Sequence, residues 1–172
     1  DAYSNNAEDY KVATDMLAKV RKDIRLFSST MIDDIAGGKA CVAIGWSGDI
    51  NIAAGRAKEN KSKDVIEALL PSTGALAFFD TMAITKDAKH PGNAHAFIDF
   101  YLRAESGAQV SNDMSYPTGN KAALEKINPE TAGNKTIFVD ADYASKLIQP
   151  GKFTNESREA MATAYNAFKA GK

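Results

Sequence analysis

The sequence predicts an α/β fold. Short apolar runs rich in β-branched or aromatic residues, at 24–27, 40–46 and 75–84, stand far apart in the chain. Between them, apolar residues recur at helical spacing in six or seven segments. A third observation concerns where polar groups fall. Trp46-Ser47-Gly48-Asp49 and Phe78-Phe79-Asp80 each set a carboxylate beside an aromatic ring just after a strand-like run. Strand ends are where α/β folds place ligands.

The elements follow in order. Asp1 to Asn6 is polar, and over residues 8–20 Val12, Ala13, Met16, Leu17 and Val20 have the spacing of a helix, with Asn5 or Asn6 as its N-cap. Ile24-Arg25-Leu26-Phe27 reads as a short strand. Ser28 or Ser29 caps a second helix carrying Met31, Ile32, Ile35 and Ala36, which Gly37-Gly38 ends. The run 40–46 is apolar throughout, the pattern of an interior strand. It closes in the turn Ser47-Gly48, and Asp49 opens a helix to Lys58.

Residues 59–64 are a charged, solvated loop, and Val65 to Leu70 is a further apolar run closed by Pro71. Ser72-Thr73-Gly74 turns the chain into the strand 75–84. Beyond Asp87 the pattern is mostly helical. Asn93 to Leu102 carries Ala94, Phe97, Ile98, Tyr101 and Leu102 on one face, and a second helix runs from Ala104 or Glu105 to about Met114. The turn Ser115–Gly119 breaks it, Lys121–Lys126 is a short helix, and 128–142 reads as irregular. A last helix over about 155–170 bears Ala160, Met161, Ala164, Tyr165 and Phe168 as a packing face. Two or three strands make a thin sheet for so many helices. The chain is therefore expected to be a piece of a larger protein whose other strands complete the sheet.

Composition excludes several functions. Of 172 residues, 44% are hydrophobic and 25% charged, ordinary for a globular protein. The 21 basic and 22 acidic side chains leave a net charge of −1, which gives no electrostatic reason to expect nucleic acid as a partner. No apolar run approaches the ~20 residues that cross a bilayer. The single cysteine, Cys41, allows no intrachain disulfide and, at the head of an apolar strand, is expected to be a small buried hydrophobe. His90 and His95 flank a Pro-Gly break, a spacing that no helical metal site uses. Nucleophile elbow, Walker loop and dinucleotide fingerprint are all missing. No catalytic residue, cofactor or metal is indicated.

The two acid–aromatic pairs suit a ligand with positive charge and an apolar body: the carboxylate neutralises the charge and the ring covers the methylenes. Each residue also has a plainer reading. Trp46 can be a core aromatic, and Asp49 can be an N-cap for the helix after Gly48. Asp80 lies among apolar residues, where an acid without a partner is costly, so either a ligand or an ion pair is expected there. In a strand Phe79 points opposite to Phe78, which assigns Phe79 to the core.

The stretches KVATDMLAKVRKDIRLFSS, DDIAGGKACVAIGWSGD, GALAFFDTMAI and AHAFIDFYLR, with a weaker MSYPTGNKAAL, resemble the periplasmic polyamine-binding proteins of bacterial ABC transporters. The putrescine-preferring members are the nearest in pattern. The matching stretches keep family order over about residues 8–125. The resemblance implies part of a two-lobe periplasmic-binding-protein (type II) fold of which this chain is the C-terminal half, the N-terminal half being missing. Residues 1–64 would open the second lobe, 65–104 would return to the first, and 105–172 would finish on the second.

It also implies a non-enzymatic periplasmic receptor that captures putrescine or a related polyamine between its lobes and delivers it to an ABC permease in the inner membrane. The implied partners are the polyamine, the permease and the N-terminal half of the same protein, with no nucleic acid. Trp46, Asp49, Phe78 and Asp80 match the family's ligand-binding positions. Tyr116 matches an aromatic that lines the cleft, although Ser115-Tyr116-Pro117 departs from the usual context. Three other readings stay open: a receptor preferring spermidine or another cationic amine, an α/β enzyme fragment whose catalytic residues lie in the missing half, and a signalling or adaptor protein that keeps the fold.

Overall fold

Helices dominate the computed structural model, which describes residues 2–149 and 151–171. The first, α1 (Ala7–Ala18), starts where Asn6 accepts from the Glu8 amide, and Glu8 and Asp9 place negative charge on its first turn. Then come α2 (Met31–Ala36), α3 (Ser47–Glu59), α4 (Pro91–Tyr101), α5 (Ala104–Met114), α6 (Pro129–Gly133), α7 (Ala141–Ala144) and α8 (Asn155–Lys169). Short 3-10 turns cover Arg21–Asp23 and Lys121–Lys126. The strands β1 (Ala75–Leu76) and β2 (Leu147–Ile148) pair in a two-stranded sheet. The chain is thus a mixed, helix-rich fold with a small sheet.

It divides into two compact units. The first comprises Asp1–Ser29, Leu76–Phe78 and Ile148–Lys172, and rests on α1 against α8. Thr154 caps α8 by accepting from the Ser157 amide, while Asn5 reaches across the sequence to the Thr154 amide and the Lys152 carbonyl. At the other end of α8, Arg21 donates to the carbonyls of Phe168, which also accepts from the Gly171 amide, and Lys169, among the groups a helix C-terminus leaves to be capped. The same guanidinium lies 5.1 Å from the centre of the Phe27 ring, which meets Phe168 and Tyr165 edge-on. Of the face its periodicity marks, Phe168 is buried and Ala160 and Ala164 are half-buried, whereas Met161 and Tyr165 stay exposed.

The second unit comprises Thr30–Ala75 and Phe79–Leu147. Here α2 packs on α3, and the α3 residues Ala53 and Ala57, four positions apart, are both buried. Asp49 in the first turn of α3 and Arg56 and Lys58 in its last complement the helix dipole. Ala108 of α5 meets Ala123 and Ile127 in a small apolar core, with Phe138 against it. The turn before β1 is held by Tyr143, which donates to the Pro71 carbonyl, and by Lys146, which donates to that of Ser72. Gly74 sits there at φ +108°, close against the Lys146 carbonyl, where any side chain would clash.

Several expectations are corrected. The run 40–46 forms no strand, and its side chains are not interior: Ile44 is 97% exposed and Cys41 is exposed as well. Residues 24–27 form no strand either, and the strand expected over 75–84 contracts to Ala75–Leu76. One cause explains all three. A strand is closed by hydrogen bonds to a neighbour, and apolar, β-branched composition supplies propensity but no partner. Phe79, assigned to the core by alternation, is 73% exposed because no strand continues through it. Part of the irregular stretch 128–142 is helical, as α6 and the start of α7. The helix predicted over 93–102 forms as α4, yet none of its residues is buried.

Candidate functional site

Asp49 is placed by the start of α3. Trp46 is the N-cap residue with extended backbone, and Asp49 is the third residue of the helix. The cap reading of Asp49 is therefore set aside: it stands in the first turn, where the helix dipole favours a carboxylate. Trp46 is 50% exposed, which sets aside the core reading.

Tyr116 arrives from α5. That helix ends at Ser115, whose backbone is left-handed at φ 57°, and the next residue is carried into the turn before Pro117. The Tyr116 hydroxyl donates to Oδ1 of Asp49 at 2.9 Å, joining residues 67 positions apart. Burial first, and the hydrogen bond to Asp49 second, push the phenol up to about 12. Asp80 adds its negative charge in the same direction, so that carboxylate lies within electrostatic reach of the phenol.

Of the five expected residues, Asp49 and Tyr116 are joined by a hydrogen bond within the second unit, with Trp46 one helical turn before Asp49, and Asp80 of the same unit acts on the phenol by its charge alone. Phe78 belongs to the first unit, where it is 50% exposed. Among the described residues neither Asp49 nor Asp80 forms an ion pair with a lysine or arginine; the acids that do are Asp15, Asp33, Asp34 and Glu105. An acid without a cationic partner beside a phenol that stays protonated, with the charge of a second acid felt there, can take up a cation.

Two supporting features were not legible as site residues. Gly48, between Trp46 and Asp49, is buried, and a Cβ there would collide with the Tyr116 ring. Its only signal in the sequence is a glycine in a helix start, where other residues form helix better. Asn51 donates to the Ser47 carbonyl and to Thr136 Oγ1 and accepts from Asn134, tying the front of α3 to the 134–136 segment. Nothing in its local sequence points to that segment.

An open cavity of about 710 Å3 lies elsewhere on α3, lined by Asn51, Lys58, Asp64, Asn112, Glu130 and Asn134 among others. It contains none of the five expected residues, and its amides are largely engaged with one another or with backbone. No group of three or more potential metal ligands is found among the described residues. Nor is any helix among them long and apolar enough to cross a membrane.

The chain is similar to known solute-binding proteins. The family model described as bacterial extracellular solute-binding protein matches residues 1–139. The putrescine-binding periplasmic protein PotF of Escherichia coli is 42% identical over 150 residues, covering 86% of this chain and 40% of that protein. The putrescine-binding periplasmic protein SpuD of Pseudomonas aeruginosa is 34% identical over 170 residues, 98% of this chain and 46% of its own length. The spermidine/putrescine-binding periplasmic protein of Salmonella typhimurium is 28% identical over 177 residues, 99% of this chain and 48% of its own. The chain spans less than half the length of these relatives.

Proposed function

This chain belongs to the bacterial extracellular solute-binding proteins, and we propose that it is part of a periplasmic receptor enclosing putrescine or a related polyamine between two lobes. The receptor would be non-enzymatic and would hand its ligand to an ABC permease in the inner membrane. In this reading residues 1–64 and 105–172 belong to one lobe and 65–104 to the other, and the rest of the polypeptide completes the cleft. The observation that carries the proposal is the pair of acids, Asp49 and Asp80, near one phenol and without lysine or arginine partners.

The energetics are those of a dication with an aliphatic middle. An ammonium about 4 Å from a carboxylate gains ~4 kcal/mol at an effective dielectric of 20, before desolvation is subtracted. A ring face on the alkylammonium adds ~0.5–2 kcal/mol as the site dries. Asp49 and Asp80 supply the first, and Trp46 and Tyr116 the second. Spermidine is the competing ligand, because one relative is named for both amines.

Calorimetry on the full-length protein tests both levels. Putrescine binds and glutamate does not. Asp49→Ser weakens putrescine far more than spermidine, since a longer amine places methylenes where the diamine places its charge. Equal losses for the two amines would overturn the short-diamine assignment, and binding of glutamate would overturn the cation site.

A further inference from the structure

We infer that Gly48 and Tyr116 form a positioning pair for the Asp49 carboxylate: the bare backbone of the glycine seats the phenol ring, and the seated ring brings its hydroxyl to Oδ1. The inference rests on the reading of Asp49 as a cation-binding acid. It begins from a contrast within one helix. A Cβ built on Gly48 would overlap Cδ2, Cε2 and Cζ of Tyr116, whereas one built on Gly55, two turns on, meets nothing within 4 Å. Glycine is thus sterically required at 48 and not at 55, although both positions would form helix better with alanine.

The second observation is the bond itself, 2.9 Å from the Tyr116 hydroxyl to Asp49 Oδ1. A carboxylate on a first turn rotates among rotamers unless something holds one oxygen. With Oδ1 held, Oδ2 is left in one place for an ammonium donor, and ordering it is not charged against binding. The third is the left-handed Ser115 backbone, φ 57°, which turns the chain out of α5 immediately before the tyrosine. Because the phenol ionises only near 12, it remains a donor throughout the neutral range.

The test is a cycle of Gly48→Ala, Tyr116→Phe and their combination in the full-length protein, with putrescine as the probe. Tyr116→Phe keeps the ring, removes the hydroxyl, and weakens binding by about 10–150-fold, the factor of one hydrogen bond to a charged group. Gly48→Ala weakens binding at least as much, and in its background Tyr116→Phe changes nothing further. An equal loss from Tyr116→Phe in both backgrounds, or no loss in the parent, overturns the inference. Tyr116→Phe alone decides the role of the hydroxyl if Gly48→Ala fails to fold.

A ligand-free readout separates this inference from the receptor reading. Subtracting the tyrosinate absorbance of Tyr116→Phe from that of the parent isolates Tyr116. It stays protonated to about pH 11, where an ordinary phenol is mostly ionised. In Gly48→Ala it ionises as an ordinary phenol, and continued silence there overturns the pairing. If the parent binds no polyamine, the receptor reading fails while the ionisation result still decides whether the glycine seats the ring.

Discussion

Asn51→Ala is the perturbation that best probes how the front of α3 is held. Asn51 Nδ2 donates to the Ser47 carbonyl at 2.8 Å and to Thr136 Oγ1 at 2.9 Å, and its Oδ1 accepts from Asn134 Nδ2 at 2.9 Å. Alanine removes all three at once. A neutral hydrogen bond contributes about 0.5–1.5 kcal/mol net, so the three together contribute about 1.5–4.5 kcal/mol. The partners are only partly buried and adjoin the open cavity, so water replaces some of what is lost. The expected destabilisation is therefore in the lower half of that range, about 2 kcal/mol.

In a larger full-length protein about 2 kcal/mol lowers the thermal midpoint by less than the roughly 4–8 °C expected of a domain of 150–250 residues. Denaturant unfolding and thermal melting of the full-length protein measure it. Asn134→Ala added to Asn51→Ala costs less than it does alone, because the two residues share a bond. A loss below about 0.5 kcal/mol, typical of a plain surface substitution, would refute the tie between α3 and the 134–136 segment.

Two further predictions follow from the same geometry. Arg21→Ala removes the side-chain donor from two carbonyls at the end of α8, of which that of Phe168 keeps the Gly171 amide, and is expected to cost about 1 kcal/mol, seen as a lower unfolding midpoint. Arg21→Lys recovers only part of this, since an ammonium cannot fork to both carbonyls, and an unchanged midpoint for Arg21→Ala would refute the cap. The raised phenol of Tyr116 makes stability pH-dependent at the alkaline end. Its contribution is complete below the ordinary phenol value of 10.0 and is lost as pH rises through about 12. Tyr116→Phe should flatten that part of the stability curve, and parallel curves for parent and variant would show that the phenol contributes nothing.

Helices were legible in the sequence because their signals are local. Asn6 caps α1 with its own side chain, and the apolar spacing of 155–170 marks the helix α8 and its buried Phe168. Candidate acids were legible for the same reason, since Asp49 and Asp80 each stand beside aromatic residues within four positions. The strands were not. Residues 40–46 have the composition of a buried strand and yet form no ladder, because a ladder belongs to two segments and composition reports on one.

The sequence by itself determined the helical elements, the near-neutral charge and the acid–aromatic chemistry of the site, all of which depend on residues a few positions apart. Only the tertiary structure decided that the Tyr116 hydroxyl reaches Asp49 across 67 positions, that Gly48 is the seat for its ring, and that Cys41 and Phe79 face outward. The physical reason is range. Propensity and capping are set within a turn or two of helix, whereas a hydrogen bond between α3 and the end of α5 exists only once both helices are packed.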